Sequence, residues 1–196
     1  MDWTAIGLFL LAAVALLGSP GPGIAALLAV TRGGGLRAGL RYYAGLQVGL
    51  ALAAGISAAG LFSLLAAFPV LLRAASIVAV LYLVILAWKI GTAPVAAAGG
   101  AMTSASPIGG FMLGTTNPKA YLAFASLMAS TTLVGGTTAD AALKWLLIVA
   151  VILVVDFVWV LIGAALHRAT LPPRAERIMN LGFAGAILIA AVAAIA

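Results

Sequence analysis

Apolar residues follow one another in this chain in runs of about twenty, the length a helix needs to cross the hydrocarbon core of a bilayer. Only short polar stretches part them. Lipid offers no partner to a backbone amide or carbonyl, so runs of this kind fold as helices, which bond their own backbone. The chain is 65% hydrophobic and 7% charged, whereas a soluble domain carries roughly 25% charged residues. Too little polar surface remains to keep such a fold in water.

Six runs qualify: Trp3 to Val30, Tyr42 to Ala67, Val70 to Ile90, Ile108 to Leu133, Leu143 to Leu166, and Ile178 to Ala196. Their basic residues set the orientation, because Lys and Arg gather in cytoplasmic loops. Loops one, three and five carry Arg32, Arg37, Arg41, Lys89, Arg168, Arg174 and Arg177, while the other side has only Arg73 and Lys144. Both termini are therefore expected outside the cytoplasm. Trp3, Tyr42, Tyr43, Trp88 and Trp145 stand near span ends, as interfacial aromatics do. The start, Met1-Asp2-Trp3, lacks a positive leader region, so the first run reads as a permanent span. The net charge of +6 is scattered over run ends, with no basic face for nucleic acid.

Two spans are interrupted. Gly18-Ser19-Pro20-Gly21-Pro22-Gly23 lies in the first and Gly114-Thr115-Thr116-Asn117-Pro118-Lys119 in the fourth. Proline removes an amide donor and clashes with the preceding turn, so each motif breaks or kinks its helix. Freed backbone groups then need a protein partner or a wet cavity. For the fourth span a re-entrant hairpin is the alternative to a full crossing. A shift of 96 residues lays Gly18 on Gly114, Ser19 on Thr115 and Pro22 on Pro118. Residues 1–92 and 108–196 then read as two three-helix units of opposite orientation, joined by an Ala/Gly/Ser/Thr-rich cytoplasmic linker at 93–107. Discontinuous helices at matching places in two inverted halves point to a transport site. The expected fold is thus an all-α integral membrane protein: six transmembrane helices in a 3+3 inverted repeat, with the first and fourth helices proline-broken.

The first loop, Thr31 to Arg41, is glycine-rich and basic. It is either a flexible connection carrying cytoplasmic charge or a gate, with Arg37 as its candidate residue. It lacks the Lys-Ser/Thr ending of a phosphate-binding loop. In the second span, Gly45, Gly49 and Ala53 form a small-residue stripe of the kind that lets another backbone approach. Its partner is either a span of the same chain or a second subunit, the latter making a homodimer.

Asp156 is the sharpest single residue, 13 positions into the fifth span. A carboxylate at the bilayer centre costs about 2.5 to 3.5 kcal/mol on insertion scales, so it must face a partner or water. It is either a proton-exchanging group or half of an ion pair with Lys119. Lys119 in turn is a ligand for an anionic group or snorkels to the interface. Asn117, Thr115, Thr116 and Gln47 add hydrogen-bonding capacity for a small polar solute. The candidate solute site is therefore Pro20, Gly21, Pro22, Gln47, Thr115, Thr116, Asn117, Pro118 and Lys119, with Asp156 as the proton-coupling residue. A free amino acid fits: its carboxylate suits a half-helix N-terminus and its ammonium suits Asp156 or freed carbonyls. No cysteine exists to build a disulfide or thiolate metal site, and no His/Asp/Glu cluster has metal-ligand spacing. His167 stands at a span end, away from Asp156, which argues against an intramembrane hydrolase. No enzyme activity and no cofactor are expected.

With these residues in view the chain resembles the LysE/RhtB family of amino acid exporters. The resemblance rests on Pro20-Gly21-Pro22, Gly35, Arg37, Gly39, Gly45, Gly49, Gly60-Leu61, Tyr82-Leu83 and Lys89. In the second half it rests on Gly110-Phe111, Asn117-Pro118-Lys119 and Asp156. The chain departs from the family's pattern at Ala79-Val80-Leu81 and at Met128 to Thr132. The resemblance implies export of amino acids or close derivatives across the bacterial inner membrane in exchange for protons, with Pro20 to Pro22, Asn117 to Lys119 and Asp156 near the pathway. A metal or inorganic ion exporter and a passive channel are the rival readings.

Overall fold

The computed structural model describes residues 2–19, 21–60, 106–168 and 172–193, with a few single positions between 70 and 92. Pro20, Arg73, Lys89, most of the expected third span and nearly all of the linker lie outside the described residues. Among the described residues the chain forms helices α1 (Trp3–Gly18), α2 (Pro22–Ala58), α3 (Pro107–Thr116), α4 (Pro118–Met128), α5 (Thr137–Arg168) and α6 (Pro173–Ala193). Thr137–Arg168 is long and apolar enough to cross a bilayer by itself, and α1 with α2 passes the same test as one bent unit.

Helix starts follow local chemistry. The Asp2 carboxylate accepts the amides of Thr4 and Ala5, both at 3.0 Å, and so caps α1. Pro22, Pro107 and Pro118 each stand in the first turn of a helix, where the missing donor costs nothing. Ser19 and Asn117, each preceding a proline, are extended, the conformation a following proline imposes. Those two residues end α1 and α3.

The glycine-rich segment expected as a loop is helical up to Gly34 and again from Leu36, and the interruption is Gly35 alone, at φ +75°. That left-handed backbone is open to glycine at no steric cost. The chain reverses there. Gly39 faces Thr31 so closely that an added Cβ would overlap the threonine side chain, and Gly23 faces Leu46. Residues eight apart on a straight helix would be about 12 Å apart. The first and second limbs of α2 are thus antiparallel neighbours. Packing overrides the poor helix propensity of Gly33 and Gly34, since Gly163 of α5 also closes on Thr31. At this end, Arg32 donates to Asn180 of α6 at 2.8 Å, and its carbonyl accepts from His167 Nδ1 at 2.6 Å. His167, expected at an interface, thereby ties α5 to the turn.

The stripe of Gly45 and Gly49 meets α3 of the same chain. A Cβ at Gly45 would overlap the Pro107 carbonyl, and one at Gly49 the Phe111 carbonyl. The approach is mutual: a Cβ at Gly110 would strike the Tyr42 carbonyl and one at Gly114 the Leu46 carbonyl. Without a hydrophobic drive between helices in lipid, such backbone contact is what packs them. Helix α5 packs along both limbs of α2. Trp145 Nε1 donates to the Ala51 carbonyl at 3.0 Å, and the Tyr43 hydroxyl to the Leu153 carbonyl at 2.9 Å. Tyr42, expected at an interface, is wholly buried.

The opposite end is held by charge. Asp140 accepts the Leu133 and Val134 amides at 2.6 and 3.1 Å and pairs with Lys144 at 2.9 Å. Lys144 also donates to the Met128 and Ser130 carbonyls at 3.0 and 3.1 Å. It is only 3% exposed, so it is a buried fastener between α4 and α5 rather than the surface charge that the count of basic residues assumed. The Asp2 amide adds a bond to the Leu133 carbonyl at 3.1 Å.

Two outcomes follow. Gly45→Ala should destabilise the protein by about 1–3 kcal/mol, the usual cost of overpacking. Gly7, with nothing within 4 Å of its would-be Cβ, should tolerate alanine; thermal unfolding in detergent reads both. Asp140→Asn strands a buried ammonium and should cost about 3 kcal/mol or more, part of which the double change Asp140→Asn with Lys144→Met restores. A single change as costly as the double would contradict this account.

Candidate functional site

The two helix breaks come together. Lys119, the second residue of α4, extends its ammonium to the end of α1, where it donates to the Ser19 carbonyl and, at 2.8 Å, to Ser19 Oγ. A Cβ at Gly21 would lie 2.7 Å from Lys119 Cδ, so a side chain there would push the lysine off its present path. Asn117 closes against Gly23, its Nδ2 3.5 Å from the Cβ position. The breaks are therefore one locus built from both halves of the chain.

That locus opens into a cleft of about 430 Å³. Its polar wall contains Ser19, Gly21, Asn117, Lys119 and Asp156. The rest is apolar, with Ile24, Leu46, Leu50, Phe124 and Ile152 among the lining side chains. Asp156, 5% exposed, accepts from Gln47 Nε2 at 2.7 Å. The Gln47 amide points its nitrogen at the carboxylate, which leaves its buried Oε1 without a hydrogen-bond partner, and Asn117 Oδ1 is in the same state. Asn117 begins α4 but does not cap it with its side chain; its carbonyl instead accepts the Ala120 and Tyr121 amides.

Each helix that starts here leaves its first amides without intrahelical acceptors. In α2 these belong to Gly23 and Ile24. The partial positive charge of a helix N-terminus accompanies them. The cleft thus offers positive charge from Lys119 and two helix starts, and acceptors from Asp156 and Asn117.

Of the residues expected from sequence, Gly21, Asn117, Lys119 and Asp156 line the cleft, and Gln47 adjoins it through Asp156. Pro22 and Pro118 begin the two helices without lining it. The Thr115 hydroxyl donates to the Phe111 and Met112 carbonyls, both at 3.0 Å, and that of Thr116 to Met112 at 2.6 Å; neither residue lines the cleft. Arg37 is exposed, two residues beyond the Gly35 turn. Pro20 lies outside the described residues. Sequence reasoning missed Ser19 as the lysine's acceptor and missed the apolar wall. Spacing held the signal for both. Ile152 precedes Asp156 by one helical turn, Ala123 and Phe124 follow Lys119 and Ala120 by one turn, and Ser19 has Thr115 as its counterpart in the other motif.

No curated protein and no solved structure matches the chain. A family match, by contrast, extends over residues 14–196, and its family is the LysE type translocator. It embraces both helix breaks and every residue of the cleft's polar wall. Members of that family are membrane transporters, and this chain belongs to the LysE family of membrane translocators.

Proposed function

We propose that this protein exports an amino acid across the bacterial inner membrane in exchange for protons, by alternating access. One observation supports the reading above the rest. Two broken helices, one from each half of the chain, meet at a cleft that holds a buried carboxylate and an ammonium. Unwound backbone and half-helix ends at such a cleft suit a zwitterionic solute.

In this reading the halves form a 3+3 inverted repeat, and α3 with α4 crosses the bilayer as α1 with the first limb of α2 does. Both termini lie on the periplasmic side. Lys119, Asn117 and the backbone at Gly21 hold the solute, and Pro22 and Pro118 start the two helices whose ends face it. Asp156 takes up a proton while the cleft faces outward and releases it inward, as the solute moves the opposite way. Gln47 holds the carboxylate in place in either state. Thr115 and Thr116 serve the end of α3 rather than the solute. Arg37 stands at the cytoplasmic mouth as a gate residue. Among the described residues no group of three His, Asp or Glu side chains is placed to hold a metal ion, and the donor set of the cleft suits an organic zwitterion better than a cation.

Counterflow in proteoliposomes tests the proton role. Asp156→Asn should weaken exchange of labelled amino acid, since the ammonium loses its counter-charge, and the exchange that remains should no longer respond to a pH gradient. Normal coupling in that variant would remove Asp156 from the proton path, and flux without saturation in the unmodified protein would favour a channel. Lys119→Met removes a charge-assisted bond worth about 1.5–3 kcal/mol, so exchange should fall by roughly ten- to a hundredfold. Unaltered exchange would take Lys119 out of the solute site.

A further inference from the structure

Resting on the exporter reading, we propose that the cargo is a neutral amino acid with an apolar side chain. The charge inventory of the cleft is the first ground. Among the described lining residues, Asp156 and Lys119 are the charged side chains, one of each sign. An α-ammonium and an α-carboxylate occupy both. A cargo with a third charge, on a lysine or glutamate side chain, would find no opposite charge to meet it among the described lining residues, and burying an unpaired charge is costly.

The acceptors assign the two ends of the zwitterion. The buried Gln47 Oε1 and Asn117 Oδ1 have no hydrogen-bond partner, and both can only accept. Of the two, Asn117 lines the cleft, and with the Asp156 carboxylate its oxygen suits an ammonium, which can only donate. Asn117 is 6% exposed and lines the cleft, so its oxygen is held there ready for a donor. The cargo's carboxylate falls to the Lys119 ammonium and to the first amides of α2, where the helix start favours negative charge.

The remaining wall decides the side chain. Ile24, Leu46, Leu50, Phe124 and Ile152 come from α2, α4 and α5 and offer only hydrocarbon. Ala120 and Ala123 on α4 leave the space that larger residues would fill. The polarity of this wall sorts the cargo. A leucine, methionine or phenylalanine side chain removes apolar surface from water on both partners.

The experiment uses the full chain in proteoliposomes loaded with equal amounts of alanine, leucine, methionine, phenylalanine, lysine and glutamate. A pH gradient is imposed and efflux is followed by mass spectrometry. Leucine, methionine and phenylalanine should leave at least about tenfold faster than lysine and glutamate, in line with what apolar pockets achieve between substrates. Lysine or glutamate leaving as fast as leucine overturns the proposal and leaves the exporter reading standing. If no amino acid leaves from protein shown to be folded, both fall. As a second measurement, Ala123→Leu fills the apolar side of the cleft and should lower the leucine-to-alanine efflux ratio about tenfold. An unchanged ratio would mean that the cargo's side chain does not rest on this wall.

Discussion

The bond from Lys119 to the Ser19 carbonyl is the contact on which the rest of this structure depends. A helix that stops inside a membrane exposes carbonyls that lipid cannot satisfy. Here the end of α1 receives the ammonium of a residue one hundred positions later in the chain, and that ammonium belongs to the second residue of the other broken helix. One side chain thus meets the backbone demand of the first break and fixes the distance between both. Gly21 permits it by having no side chain in the lysine's way.

Around that joint the packing uses two different means. Helices α2 and α3 touch backbone to backbone through Gly45, Gly49, Gly110 and Gly114. Helices α4 and α5 are fastened at the far end by Asp140 and Lys144, whose buried charges also receive the amides and supply the carbonyl partners of the turn between them. Neither device needs a large hydrophobic core, and neither reaches the cleft. The cleft wall is made instead by ordinary aliphatic and aromatic side chains, facing a small set of polar groups.

Much of this was legible in sequence, for physical reasons. Runs of apolar residues declare helices because nothing else satisfies a backbone in lipid. Prolines at 22 and 118 declare helix starts, and Asp156 declares a buried partner because an isolated carboxylate would be expelled. Gln47 was expected in the site and proved to be that partner. What escaped notice was anything that depends on how helices face one another. Gly110 and Gly114 have the same spacing as Gly45 and Gly49, yet only one pair was read as a contact. Lys144 looked like a loop charge because sequence does not reveal that three acceptors surround it. The segment from Thr31 to Arg41 looked like a loop because its glycines are poor helix formers, and only the contacts of Thr31 with Gly39 and Gly163 account for its helicity. Thr115 and Thr116 looked like ligands because a hydroxyl's preference for its own helix carbonyl leaves no trace in composition.

The glycine contact has a consequence for how such a protein can change over time. At Gly45, Gly49, Gly110 and Gly114 even one added methyl group meets main chain, which cannot move aside as a side chain can. Those four places tolerate almost no drift. The cleft wall is different: Ile24, Leu50, Ala123 and Ile152 meet the cleft through side chains, and none of them is part of the glycine contacts or of the joint between the breaks. Frame and wall are thereby free to change at different rates.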